Sequence, residues 1–375
     1  MESDAHVVSV AISFYEIPTA SFGKTSAETD GTARWDSTGM LLVELTAAGT
    51  TGFGYAYTTE AAVEVGRATL VPVVLGVHPF DTSRAFWGMA GAVRNLGWPG
   101  VSASAISAFD LALHDLKGRL LQTSLTQLLG GARPSVMAYG SGGFTSYSES
   151  QLQKQLGDWA ADGMRAVKMK IGTAPGDDVS RVRAAREAIG PDVELFVDAN
   201  GAYERKQALD FAERFAEFGV TWFEEPVSSD DLEGLRLLRD RGPAGMRIAA
   251  GEYGYTPSYF HAMLAAGAVD TIQADSTRCG GATGFMIAAA LAQGAAIPLS
   301  AHTAPAIHAS LGAALPNVIN VEYFHDHARI ESLFFEGVPR LEAGELVPDR
   351  DRPGTGLILK RGDTDRYRTS HWQSS

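Results

Sequence analysis

From about residue 134 onward the chain repeats one unit: a short apolar run, a polar residue at its end, then an amphipathic helical stretch. The runs are VKMKI, VELFVDA, VTWFEE, MRIAAGE, TIQAD, AIPLSAH and VINVEY, with stretches such as DVSRVRAAREAIG and ERKQALDFAERFAEFG between them. Near-continuous apolar strands alternating with helices demand a parallel sheet covered by helices. Roughly eight such units over about 215 residues predict a closed (β/α)8-type barrel rather than an open doubly wound sheet. An open sheet would need a nucleotide fingerprint after an early strand. The nearest candidate, AYGSGGFTS (138–146), has Thr145 where the last glycine of G-x-G-x-x-G belongs, so it reads as a loop.

The preceding part has a different grammar. VVSVAISFYEI (7–17), MLLVELTAA (40–48) and GFGYAYT (52–58) read as strands, and SASAISAFDLALHDLKGRLLQTSLTQLLGG (102–131) reads as a helix ending on two glycines. Strands followed by helices predict an α+β domain over residues 1–130, ahead of a barrel over 131–350. A terminal segment, 351–375, carries its own short strand GLILK (356–360).

Charge and composition narrow the function. A net charge of −13 gives no long-range attraction for nucleic acid or an anionic membrane, so a small anionic substrate would need a local positive site. No apolar run reaches the roughly 18 residues of a membrane span. The opening MESDAHVVSVAISFYE lacks the pattern of a signal peptide, and the single cysteine, Cys279, excludes an intrachain disulfide framework. A soluble cytoplasmic protein is expected.

The polar residues that end the strands are Lys168 and Lys170, Asp198 and Asn200, Glu224 and Glu225, Glu252, Asp275, His302 and Glu322. Steps from 170 onward are 28, 26, 28, 23, 27 and 20 residues, each about one βα unit. In a parallel barrel all these ends open on one face, where active sites of this fold are built. Asp198, a glutamate of the Glu224–Glu225 pair, and Glu252 would crowd about three negative charges into one pocket, which calls for a cation. Hard oxygen donors without cysteine or histidine suit Mg2+. Strand periodicity does not choose between Glu224 and Glu225. Asn200 shares a face with Asp198 by the two-residue period and is expected to donate a hydrogen bond to the ligands. Two ammonium groups on one face, partly buried, should depress each other's pKa, so that one serves as a base and the other meets a substrate carboxylate. Asp275 beside His302 would make a second acid/base group. A Ser-His-Asp hydrolase is rejected: Ser300 lies near His302, but no G-x-S-x-G elbow occurs. HDH (325–327) reads as loop residues after the last strand, with His325 a candidate substrate contact.

With these motifs the chain resembles the enolase superfamily, specifically its mandelate racemase subgroup, over nearly its whole length. AISAFDLALHDLKGR resembles that family's cap helix, and the terminal segment is expected to return to the cap. KMK resembles the K-x-K of the second strand, which implies Lys170 as base and Lys168 as its partner. DAN, FEEP and GE resemble the three ligand positions, implying Asp198, Glu224 and Glu252 around Mg2+, with Asn200 and Glu225 beside them. Asp275 and His302 match the family's dyad, and Glu322 the last-strand glutamate that hydrogen-bonds the enolate oxygen. Cycloisomerases of the muconate type carry a lysine at the sixth strand, where this chain has ADSTRCGG.

The resemblance implies α-proton abstraction from a carboxylate through an enediolate. Lysine pair plus dyad favours dehydration of a sugar acid or diacid to a 2-keto-3-deoxy acid. Racemisation or epimerisation of a 2-hydroxy acid is the alternative, and an inactive metal-binding scaffold a remote one. The cap loop TASFGKTSAETDGTARWDS (19–37) offers Lys24 and Arg34 to a hydroxylated substrate, and Tyr57 a wall. A homo-oligomer, from dimer to octamer, is implied.

Overall fold

The computed structural model describes residues 5–19 and 27–374. Three antiparallel strands, β1 (Ser9–Pro18), β2 (Ser37–Ala47) and β3 (Thr50–Tyr57), build the first sheet. Their buried face packs on helix α1 (Val101–Leu120), sixteen of whose residues are buried. The approach is close enough to require glycine: a Cβ on Gly54 would lie 2.3 Å from the Ala108 carbonyl oxygen. The helix stops at Leu120 rather than running to the two glycines. Gln122 turns left-handed (φ 52°), Thr123 N–H bonds back to the Gly118 carbonyl, and Ser124 caps a new short helix, Leu125–Leu128.

Eight parallel strands then form the barrel. They are β4 (Val136–Gly142), β5 (Ala166–Lys170), β6 (Glu194–Asp198), β7 (Val220–Glu224), β8 (Arg247–Ala250), β9 (Thr271–Ala274), β10 (Leu299–Ala301) and β11 (Val318–Phe324). The sheet closes where β11 pairs with β4, setting Glu322 opposite Tyr139. Seven helices cross between consecutive strands: α2 (Glu149–Ala161), α3 (Pro175–Ile189), α4 (Arg205–Ala216), α5 (Leu232–Arg241), α6 (Pro257–Ala265), α7 (Gly281–Gly294) and α8 (Pro305–Ala314). The interior is packed rather than open. Tyr139, Ala166, Phe196, Trp222 and Ala249 fill its lower layer, with the Phe196 and Trp222 rings stacked 5.0 Å apart.

His325–Phe334 forms a further helix, α9, so HDH opens a helix instead of lying in a loop. The terminal strand β12 (Arg368–Gln373) pairs antiparallel with β1, completing the return to the cap. No helix among the described residues is long and apolar enough to cross a membrane.

Asp115 on α1 holds three of these parts together. Its carboxylate accepts from Phe53 N–H (2.9 Å), Arg119 Nε (2.6 Å), and Thr355 through both N–H (2.7 Å) and Oγ1 (2.9 Å). Asp115→Ala leaves two buried backbone donors unpaired and takes the carboxylate from the half-buried Arg119, a loss of roughly 2–4 kcal/mol. Urea unfolding should show that loss; a change under about 1 kcal/mol would contradict this role.

Candidate active site

Strand register does the assembling. Lys170 pairs with Asp198 across β5 and β6, and Asp198 with Glu224 across β6 and β7, so three strand ends meet on one rung. Lys168, one inward-facing step below Lys170, is wholly buried. Its ammonium lies 2.6 Å from Glu224, 2.8 Å from Glu322 and 3.4 Å from Asp198, above the Tyr139 ring. Lys170 Nζ lies 2.5 Å from Asp198 Oδ2. The expectation that the lysines would be depressed is not met. Burial does oppose each ammonium, but Glu224 and Glu322 around Lys168, and Asp198 beside Lys170, outweigh it and raise both.

Asp198, Glu224 and Glu252 each offer an oxygen, and the three lie within 4.8 Å of one another, all buried. Burial first, then Asp198, pushes Glu224 up to about 8 even with the Lys168 ammonium beside it. Glu252 Oε2 has no hydrogen-bond partner among the described residues. Three hard carboxylate donors, one with a buried oxygen that makes no hydrogen bond and meets only His302 Nε2 at 3.4 Å, fit Mg2+. Asn200 differs from expectation. The strand ends at Asp198, Asn200 takes a left-handed φ of 46°, and its backbone N–H, not its side chain, donates to Asp198 Oδ1 at 2.9 Å. Its own Oδ1 stays unpartnered. Glu225 is also left-handed (φ 37°) and buried, and burial, then Glu252 beside it, raises it well above the usual carboxylate range.

Across the mouth, His302 Nδ1 lies 3.0 Å from Asp275 Oδ2, while its Nε2 faces Glu252 Oε2 (3.4 Å) and Glu322 Oε2 (3.6 Å). Burial disfavours the imidazolium, but Glu252, Glu322 and Asp275 outweigh it and lift His302 to about 9, so the ring is charged at neutral pH. Asp275 stays ionised, since His302 and Arg278 overcome its burial, and Thr277 donates to its other oxygen through N–H and Oγ1 at 2.7 Å each. Glu322 accepts from Ser141 Oγ (2.6 Å) and Thr303 N–H (3.1 Å). Lys168 and His302 hold it down to about 2 despite burial. A carboxylate so held accepts hydrogen bonds, and must take up a proton before it can donate one to an oxyanion.

Sequence reasoning missed Arg278, although it stands in the quoted ADSTRCGG. Its guanidinium reaches Glu252 through the carbonyl (3.1 Å) and Oε1 (3.3 Å), and lies 3.6 Å from Asp275. It links the acid triad to the dyad.

A separate two-stranded hairpin between β1 and β2, Glu28–Thr29 with Arg34–Trp35, supplies the roof. Thr32 Oγ1 donates to the Asn200 carbonyl (3.3 Å) and Thr173 Oγ1 to that of Asp30 (2.5 Å). Gly31 presses onto the strand ends so closely that a Cβ would meet the Ala199 oxygen at 2.1 Å. Lys24 lies outside the described residues. Arg34 is exposed on the hairpin Glu28–Thr29/Arg34–Trp35. Tyr57 is half-buried, its ring stacked 3.4 Å from that of His327 and its hydroxyl donating to Glu331 at 3.3 Å. His325 packs edge-on against Trp159, which covers the outward side of β4 at Gly140; His327, not His325, faces inward from HDH. Burial holds His327 down to about 3, hence neutral.

A closed parallel barrel with a carboxylate triad, a lysine pair and an Asp–His dyad at its C-terminal mouth defines a cation-dependent acid/base enzyme. Two family models match: the mandelate racemase / muconate lactonizing enzyme N-terminal domain over residues 24–130, and the enolase C-terminal domain-like family over residues 151–363. The chain belongs to the enolase superfamily, in its mandelate racemase subgroup.

Among similar proteins, a mandelate racemase/muconate lactonizing enzyme-like protein from Rubrobacter xylanophilus is 49% identical, with a TM-score of 0.93 over 97% of this chain and 100% of that one. D-galactarolactone cycloisomerase from Agrobacterium fabrum is 33% identical over 356 residues, 89% of this chain and 93% of that protein. L-talarate/galactarate dehydratase from Salmonella typhimurium is 30% identical over 313 residues, 82% of this chain and 77% of that protein. Its crystal structure liganded with Mg and L-lyxarohydroxamate gives a TM-score of 0.90 and 26% identity, covering 100% of this chain and 95% of that one. Mg2+ is the cofactor of the chemistry this chain carries.

Protons and Mg2+ compete for the triad. Because burial raises Glu224, ligation must expel a proton, so Mg2+ affinity should rise as pH increases through the neutral range. Calorimetric titration at pH 6 and 8 checks the sign, and thermal unfolding checks the linkage: about 2.7 kcal/mol of stabilisation at 100 times Kd. Affinity that is flat with pH and a melting temperature indifferent to Mg2+ would contradict the site.

Proposed function

We propose that the protein dehydrates a sugar acid or diacid to a 2-keto-3-deoxy acid, with Asp198, Glu224 and Glu252 holding Mg2+. The observation that carries this reading is the placement of His302, anchored by Asp275 at 3.0 Å and turned with Nε2 into the mouth toward Glu252 and Glu322. A dehydratase needs an acid there for the departing hydroxyl. When bound, Mg2+ supplies positive charge that acidifies the α-proton of a substrate carboxylate and competes with the lysines for the triad's negative charge.

Lys170, once its ammonium has given up a proton to solvent, takes the α-proton on its neutral Nζ, and the electron pair moves into the carboxylate to give the enediolate. Lys168 stands behind it with a permanent positive charge toward the developing oxyanion, held by Glu322 and Glu224. The pair then returns to form the Cα–Cβ double bond as the β-hydroxyl leaves, protonated by His302 and released as water. The enol tautomerises to the 2-keto acid, so the products are the keto acid and one water. Lys170 on β5 and His302 on β10 stand three strands apart around the closed barrel, which supports approach from opposite faces of the α-carbon. Tyr57 and His327 form the wall that meets the distal part of the substrate.

One observation favours a second reading. The similarity to D-galactarolactone cycloisomerase admits a lactone substrate, in which a ring oxygen rather than hydroxide leaves the β-carbon. A library of open-chain sugar acids and their lactones, incubated with Mg2+ and read for 2-keto acid and α-proton exchange, separates these. Keto acid from open-chain acids supports the dehydratase, keto acid from lactones alone supports the cycloisomerase, and exchange without keto acid identifies an epimerase. Lys170→Ala and His302→Asn should each lower kcat by roughly 10²–10⁴-fold. Full activity in either variant would remove the role assigned to that residue.

A further inference from the structure

We infer that His308, on α8, is a positioning residue that sets the spacing of Asp275 and His302. The inference rests on the acid/base reading of that dyad. His308 is wholly buried, and both ring nitrogens are used. Nδ1 lies 2.7 Å from the Thr303 carbonyl, and Nε2 accepts from Ser276 N–H at 2.9 Å. Thr303 directly follows His302, and Ser276 directly follows Asp275. A single imidazole therefore ties the turn after β10 to the turn after β9.

Donor logic fixes the ring's state. Ser276 N–H can only donate, so Nε2 is an acceptor; the Thr303 oxygen can only accept, so Nδ1 carries the hydrogen. Burial keeps the ring neutral, in agreement with that tautomer. With both nitrogens bonded and no exposed surface, His308 cannot touch a substrate.

The turn it holds needs holding. Thr303 and Ala304 take left-handed φ values of 50° and 40°, rare for residues with a Cβ and rarer for a β-branched one. Such backbone persists where surroundings impose it. Here Glu322 accepts from Thr303 N–H, His327 Nδ1 lies 3.4 Å from Ala304 N, and His308 takes the Thr303 oxygen. Of these three partners only His308 also bonds the turn that follows Asp275, and the Thr303 hydroxyl adds a bond to Asp275 Oδ2 at 3.2 Å. The Phe285 ring lies 5.2 Å from that of His308, which leaves it little freedom.

The test compares His308→Leu, His308→Gln and His308→Asn in the full-length Mg2+-loaded enzyme. Leucine removes both bonds; glutamine keeps an acceptor near Ser276 N–H; asparagine keeps only a donor for Thr303. On an identified sugar acid, His308→Leu should lose about tenfold or more in kcat, with KM within about threefold, because misplacing a catalytic group by about an ångström costs up to about 10²-fold. Exchange at the Lys170 face should stay within about threefold, a split that general destabilisation would not produce. His308→Gln should recover most of kcat. A crystal structure of His308→Leu should show the Asp275–His302 separation grown from 3.0 Å to beyond hydrogen-bonding distance. Wild-type kcat, or an undisturbed pair in that structure, overturns the inference. If His308→Leu does not fold, His308→Asn is read the same way: full kcat or unchanged spacing overturns it, and reduced kcat with wider spacing supports it. The spacing measurement needs no substrate, so failure of every sugar acid to react defeats the proposed function and leaves this inference to be decided on the structure.

Discussion

A wholly buried ammonium, that of Lys168, sits among Asp198, Glu224 and Glu322 at the centre of the barrel mouth. An unpaired charge at that depth would be prohibitive, and so would three carboxylates without it. The strands cannot slip without separating these partners, because each comes from a different strand end. Charge balance therefore enforces the register, and the register brings Lys170 and Asp198 together on the same rung. What remains in excess is negative charge on the triad, and that excess selects a small divalent cation.

Around this centre the backbone is strained where chemistry is placed. Asn200, Glu225, Thr303 and Ala304 all carry positive φ and all lie within three residues of a barrel strand's end. Each turn re-aims the chain at once into the mouth, so that backbone N–H groups serve Asp198 and Glu322 without the help of side chains. The cost is offset by bonds from buried groups on neighbouring elements, of which His308 and Glu322 are the clearest. In the proposed site, placement thus depends in part on His308, which never approaches a substrate.

Much of the barrel and its site was legible in sequence, for a definite reason. The two-residue strand period and the βα repeat are both local, so Lys168, Lys170, Asp198, Glu252, Asp275, His302 and Glu322 could be set on one face before any coordinates. Legibility stops where the period stops. Asn200 lies past the last strand residue, and its side chain does not do what alternation predicts. The glycines at 130–131 looked like the end of α1, but a left-handed Gln122 and a Ser124 cap broke the helix earlier. In HDH, helical phase turns His325 to Trp159 and His327 to Tyr57, a division that a reading of the segment as a loop does not reveal. Arg278 and His308 act through partners 26 and 32 residues away, and no spacing rule announces them.

The proposed function sets two proton-transfer groups of this one chain on opposite faces of one α-carbon: Lys170 as base, and His302 as an acid that, in its neutral form, can also act as a base. Stereospecific deuterium exchange tests it most directly. With Mg2+ in D2O, Lys170→Ala should abolish α-exchange for one configuration of a 2-hydroxy acid and retain it for the epimer, and His302→Asn should show the reverse. If either variant abolishes exchange for both configurations, or leaves both intact, the two-faced site is wrong.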